Sequence, residues 1–305
     1  MNKLPWLLTF MLLFFTLKGF GGNHLSFPGD TAKKAAETDS TDDDDDNVRS
    51  YAIGLTYGSD QSYHGIHSNT KLPYLEPNFT YTAPSGFYIE ASVQDILIKK
   101  GGGFDAFDFN PGWNIDLSDN TTLNFNLSHY IFRAKTPVTI KSDLSNSLET
   151  YIDQSVGETD FKLSVDYNYY KQKDTIKTPG DFILSPDITH DFKIKLNQKS
   201  SLTFIPEGSI DFGTRNAYTH YLVNTGADTV SVVNKKTGKR ERVTRIPNNS
   251  SFGTLDYNLI LTINYKIGNF EIEPAFNHTV PLYKPSGTPN TPLNSVTIAL
   301  VYTIK

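Results

Sequence analysis

The sequence predicts an all-β protein, an antiparallel up-and-down transmembrane β-barrel of about twelve strands. A signal peptide and a disordered acidic linker precede it. Three observations carry this reading. From residue 50 onward, apolar residues recur with a period of two, the mark of strands with one oily and one wet face. The connections between these runs are short and long by turns, as in barrels that cross an outer membrane. The chain also opens on an apolar segment of export type.

Composition agrees. Hydrophobic residues make up only 38% of the 305 residues, yet there are 20 Phe and 17 Tyr against 2 Met, a usage that suits strands over helices. The chain has no Cys, which excludes disulfides, thiolate metal sites, a cysteine nucleophile and a lipidated N-terminal Cys. A formal net charge of −5 argues against nucleic acid as a partner.

Residues 1–22 read as the signal peptide. Lys3 is a short positive start, Leu4 to Leu17 is apolar but short for a membrane span, and Gly19, Gly21 and Gly22 follow. Residues 23–49 read as a disordered, self-repelling linker, with five consecutive acids at Asp42–Asp46. A calcium loop needs spaced ligands and a turn glycine, which this run lacks. The barrel is assigned to residues 50–305.

The strands follow in order. Tyr51, Ile53, Leu55 and Tyr57 alternate with small residues. Leu75, Phe79 and Tyr81 face away from Glu76, Asn78 and Thr80. Phe87, Ile89, Ala91 and Val93 oppose Glu90, Ser92 and Gln94. Phe107, Phe109, Trp113, Ile115 and Leu117 oppose Asp108, Asn110, Asn114 and Asp116. Leu123, Phe125, Leu127 and Ile131 oppose Asn124, Asn126 and Ser128. Leu148 to Gln154 is the poorest strand by pattern. Phe161, Leu163, Val165, Tyr167 and Tyr169 oppose Lys162, Ser164, Asp166 and Asn168. Ile188, Phe192, Ile194 and Leu196 oppose Thr189, Asp191, Lys193 and Lys195. Leu202, Phe204, Ile210 and Phe212 oppose Thr203, Glu207, Ser209 and Asp211. In "TLDYNLILTINYK", Leu255, Tyr257, Leu259, Leu261, Ile263 and Tyr265 oppose Asp256, Asn258, Thr262 and Asn264, with Ile260 breaking the alternation. Phe270, Ile272, Phe276 and Val280 oppose Glu271, Glu273, Asn277 and Thr279. Val296 to Ile304 closes the chain. Connections near 84, 119, 157, 199 and 268 are short, and those near 60–70, 99–105, 135–147, 171–181, 223–252 and 282–292 are long.

Alternation alone does not say which face is outside. A soluble barrel or sandwich would turn its apolar face inward, a membrane barrel outward. The export segment, the ordered loop lengths and the aromatic strand ends (Tyr57, Tyr81, Phe87, Phe107, Tyr169, Tyr257, Tyr265, Phe270, Tyr302) favour the membrane. The candidate lumen residues are then Glu76, Glu90, Asp108, Asp116, Asp166, Asp191, Lys193, Lys195, Glu207, Asp211, Asp256, Glu271 and Glu273.

With these residues in view, the chain from about residue 50 to its end resembles a bacterial outer-membrane β-barrel of the porin-like kind. The last strand, "NSVTIALVYTIK", looks like the C-terminal strand by which such proteins are recognised for insertion, although it ends in Lys305 and not Phe. "LPYLEPNFTYTAPSGFYIEASV" is similar to a hairpin of porins of the TorF type. The resemblance implies the bacterial outer membrane, outer-membrane lipid around the barrel and small solutes within it.

Three functions follow as expectations. The first is a narrow porin-like channel for small solutes, cation-preferring because acids outnumber bases on the wet face. The second is a closed structural or surface-interaction barrel, its acids neutralised by Lys162, Lys193, Lys195 and Lys266. The third, an outer-membrane lipid-modifying enzyme, lacks a built nucleophile. Ser128 and His129 are adjacent on a strand and point to opposite faces, and nothing orients His67 and Ser68. His64 and His67 have a spacing that can chelate but lie in a loop. Gly101–Gly103 stands before a strand, not at a helix start, so it is no phosphate loop. No enzyme activity, metal or cofactor is expected. The basic stretch Asn234–Arg245, in the longest loop, reads as a small hairpin turning at Thr237-Gly238, suited to meet lipopolysaccharide or to fold into the pore.

Overall fold

The computed structural model describes residues 49–68, 70–98, 104–133, 143–171, 180–217, 229–233, 240–244, 251–283 and 291–305. The signal peptide and all but the last residue of the linker lie outside them.

Twelve antiparallel strands form one closed wall. They are β1 (Ser50–Gly58), β2 (Tyr74–Thr82), β3 (Phe87–Ile96), β4 (Ala106–Ser118), β5 (Thr121–Phe132), β6 (Leu144–Val156), β7 (Thr159–Tyr170), β8 (Asp181–His190, continued as Phe192–Asn197), β9 (Ser200–Gly213), β10 (Gly253–Ile267), β11 (Phe270–Pro281) and β12 (Leu293–Ile304). Each strand pairs with its neighbours in sequence, and β1 pairs with β12 from Tyr51↔Ile304 to Gly58↔Thr297, which closes the ring. The short connections gather at one end, called lower here, and the long ones at the other, the upper end. The weak segment Leu148–Gln154 is the middle of β6, which runs 13 residues and pairs on both sides.

The wall has its apolar side out. Ile53, Leu127, Leu148 and Leu259 are 50–55% exposed, whereas Thr56, Asn124, Ser164 and Asp211 on the inward positions are 0% exposed. A continuous exposed apolar band is intolerable in water and natural in lipid. Among the described residues no helix is long and apolar enough to cross a membrane. The strands, at 9 to 15 residues apart from the divided β8, have the length to cross.

Two departures from simple alternation matter. The first is a bulge in β10. Ile210 pairs with Tyr257 and Phe212 with Thr254, so Asp211 alone stands opposite both Leu255 and Asp256. Leu255, expected on the lipid side, is therefore turned inward and is 1% exposed. The second is the break in β8 at Asp191. Below it, Phe192–Asn197 pairs only with β9, because β7 begins at Thr159, opposite His190. Lys193 and Lys195, expected in the lumen, keep the inward parity opposite Thr203 and Ser201 but are exposed, on a one-sided extension below the closed ring. Asp191 is half-buried at the break itself, its amide donating to the carbonyl of Glu158.

Candidate functional site

The interior is the candidate site, and its two ends differ. The β1–β2 connection folds inside the wall at the upper end, where Tyr63, Ile66 and Leu72 are buried. Ser62–Tyr63 and Ile66–His67 form a two-residue-looped hairpin there. The loop residues His64 and Gly65 both have positive φ, 45° and 73°, the type I′ pattern that suits hairpin twist. Glycine takes this conformation freely, and histidine takes it at a cost. Asp60 ties the base of the connection, its Oδ1 accepting from the amides of Gln61 and Leu72 at 2.9 Å each.

Tyr63, Ile66 and Leu72 from this connection pack with Tyr74, Ile96, Tyr130, Leu144, Tyr170, Ile183, Ala217 and Leu255, all from strand ends on the upper side or just beyond them. Small residues on the wall make room. Gly58 lies so close under the Tyr74 ring that a Cβ would overlap it, which lets the ring lie flat against β1. The result is a dry apolar plug in the mouth of an otherwise polar barrel. Burial holds the Tyr63 phenol well above the usual tyrosine range, so it stays a donor.

Three acids surround the plug in different states. Asp181 is saturated. Its oxygens accept from Tyr170 (3.0 Å), Thr214 Oγ1 (2.6 Å) and the amides of Asn216 (2.8 Å) and Ala217 (2.6 Å). Tyr170 spends its proton on Asp181, so Tyr63 donates to the Tyr170 oxygen at 3.2 Å. Asp211 accepts from Ser185 Oγ and, at 2.8 Å, from His64 Nδ1 at the hairpin tip. Asp256 is 0% exposed, and neither of its oxygens has a hydrogen-bond partner among the described residues.

Below the plug the interior is polar. Gln94 donates to Glu76 at 2.9 Å. Asn124 and Asn126 donate to the Tyr88 hydroxyl at 3.2 and 2.9 Å. Thr279 donates to Asn258, which donates in turn to Ser209. Asn264 bridges Glu271 and Glu273, and Lys266 Nζ stands 3.5 Å from Glu271. Lys162 lies over the Tyr151 ring, 5.4 Å from its centroid.

Of the residues expected in the lumen, Glu76, Asp108, Asp166, Asp211, Asp256, Glu271 and Glu273 are buried on inward positions, and Glu90 and Glu207 are half-buried there. Asp116 is at the lower rim, exposed, accepting from Thr122. Further inward acids were missed. Glu149 and Asp153 belong to the weak-patterned β6, and Asp181 and Asp187 to the first half of β8, which starts where a loop was expected. Inward lysines among the described residues of the closed ring are Lys162 and Lys266.

The histidines do not converge. His64 faces Asp211, whereas the ring nitrogens of His67 lie 3.1 and 3.0 Å from the carbonyls of Ser68 and Thr291. On the outer wall His129 and His278 each meet a cross-strand asparagine, Asn146 at 2.9 Å and Asn294 at 2.8 Å. Ser128 bonds Asn126 on the other face. Thr229–Val233 pairs with Arg240–Thr244 as an outer hairpin. The rest of the basic stretch, including the turn at Thr237-Gly238, lies outside the described residues, as does Gly101–Gly103.

No family model and no curated protein matches this sequence. Among solved structures, the chain is similar in trace to the KdgM porin (TM-score 0.45, 6% identity, covering 83% of this chain and 99% of that one). It is similar to the NanC porin (0.44, 10%, 82% and 98%) and to an outer membrane channel from Pseudomonas putida F1 (0.47, 8%, 87% and 100%).

Proposed function

We propose that this chain is a bacterial outer-membrane channel that passes small solutes through a narrow, acidic lumen and prefers cations. The observation that carries the reading is the inward face of the closed ring. Glu76, Glu90, Asp108, Glu149, Asp153, Asp166, Glu207, Glu271 and Glu273 line it against Lys162 and Lys266. A wall with an excess of one charge sign raises the local concentration of the opposite ion and disfavours its own. A purely structural interior has no need of so many carboxylates, since each is costly to desolvate. The arrangement has the plug as its shut state, and passage requires the hairpin to leave the mouth. The outer hairpin, with its basic stretch Asn234–Arg245, is the part that would meet lipopolysaccharide.

The apolar plug supports a second reading, a permanently closed barrel with a structural or surface-interaction role. Planar bilayers separate the two. Folded protein, verified by heat-modifiable migration after extraction from outer membranes, should give discrete cation-selective conductance steps. Replacing residues 61–67 by a Gly/Ser linker should make those steps frequent. Folded protein silent in both forms sinks the channel, and recovery from a soluble periplasmic fraction sinks the membrane assignment.

A further inference from the structure

The side-by-side carboxylates Asp211 and Asp256 have a geometry that points to more than lining. The bulge in β10 sets Asp256 across from Asp211, on the same face. Like charges directly opposite one another destabilise a sheet, and both side chains are 0% exposed. Asp211 is partly provided for by Ser185 and His64, but Asp256 has no partner among the described residues on either oxygen. Asp256 is aimed at the tip of the hairpin, because a Cβ on Gly65 would stand 2.6 Å from its Oδ2. The same tip delivers His64 to Asp211. Both carboxylates therefore converge on two consecutive residues of a segment that fills the mouth.

We infer that Asp211 and Asp256 form the cation-selecting site of the open channel, and that His64 is a tethered occupant holding that site when the mouth is shut. The inference rests on the channel reading above. A monovalent or ammonium cation placed between the two carboxylates would offset their mutual repulsion and give Asp256 the partner it lacks. In the shut state the imidazole N–H serves Asp211, and Gly65 covers Asp256 without bonding it. Only glycine fits at 65, since it has φ 73° and no room for a Cβ. The cost of the left-handed histidine is met by its contacts with Asp211 and with the Tyr63 ring, 4.3 Å away between centroids. A cation arriving from outside competes with His64 for the pair, so permeant ion and latch exclude each other.

The test uses the full chain in planar bilayers under a potassium chloride gradient. With the hairpin replaced by a Gly/Ser linker, Asp211→Asn plus Asp256→Asn should lower the potassium-to-chloride permeability ratio by about tenfold or more. Glu273→Gln at the lower end should move it far less. With the hairpin intact, His64→Ala should raise the open fraction, and added potassium should raise it further in wild type than in His64→Ala. Conductance with an unchanged ratio in the double variant overturns this inference and leaves the channel standing. A folded, hairpin-replaced protein that never conducts overturns the channel, and this inference with it. If the linker variant does not fold, Gly65→Val in the intact hairpin serves as the opened background and is read the same way.

Discussion

The barrel carries two apolar regions that obey opposite rules. The outer belt, from Ile53 to Leu259 around the ring, is exposed because its solvent is lipid. The plug, built on Tyr63, Ile66 and Leu255, is dry because protein surrounds it. Burial against lipid gains little from close packing, since lipid tails refill any gap. Burial inside a fixed wall depends on it, since nothing else can enter. Leu255 and Leu259 show the difference on one strand. They have the same side chain and the same sequence parity, yet the bulge at Leu255–Asp256 sends one inward and leaves the other outward.

The largest expected effect tests that contrast directly. Leu255→Ala should leave a cavity in the plug and cost about 2–5 kcal/mol. Leu259→Ala should cost only about 0.5 kcal/mol, the difference in lipid transfer. Reversible urea unfolding in lipid vesicles measures both. Equal losses would remove the bulge from the description and return Leu255 to the belt. Next comes a charge. Leu259→Lys, near the middle of the belt, should cost about 2–4 kcal/mol. Asn258→Lys, one residue away but facing an acidic interior, should cost less, about 1 kcal/mol for its lost bonds to Ser209 and Thr279. In the proposed channel it should also lower the potassium-to-chloride permeability ratio. A Leu259→Lys protein as stable as Asn258→Lys would reverse the faces.

The belt was readable in the sequence because a period of two is a local property, and each strand repeats it without reference to its neighbours. Twelve strands and the order of short and long connections came from the same signal. β6 was faint because Thr150 and Gln154 occupy outward positions and dilute its oily face. The plug was not readable. A one-residue bulge puts two consecutive residues on one face, and because Leu255 fits the apolar parity of its run nothing in the pattern marked the shift. The inward fold of the β1–β2 connection depends on where the strand ends meet in space. Its local hints were a His-Gly pair between Tyr63 and Ile66 and three large apolar residues in a loop that water should surround. Read together, they mark a small hairpin with somewhere dry to go. The acids divide in the same way. Parity alone put Asp211 and Asp256 inside, but their convergence on one hairpin tip, and the exclusion of Lys193 and Lys195 from the ring, needed the register.

The smallest effect sets two adjacent tyrosines against each other. Tyr169 points to the belt and is 40% exposed, whereas Tyr170 points to the plug and is 1% exposed. Tyr170→Phe removes a donor to the Asp181 carboxylate and the acceptor for Tyr63 in one step. A hydrogen bond to a charged group contributes about 1.5–3 kcal/mol, and that is the expected loss. It falls toward the lower value because Thr214 and two amides still hold Asp181. The freed Tyr63 hydroxyl must then find another acceptor or leave the interior with its hairpin, so Tyr170→Phe should also raise the open fraction in bilayers. Tyr169→Phe should change stability by no more than about 0.5 kcal/mol and leave the open fraction alone. A Tyr170→Phe protein with lowered stability but an unchanged open fraction would mean that the tyrosine pair braces the wall without holding the hairpin, leaving the latch to His64 alone.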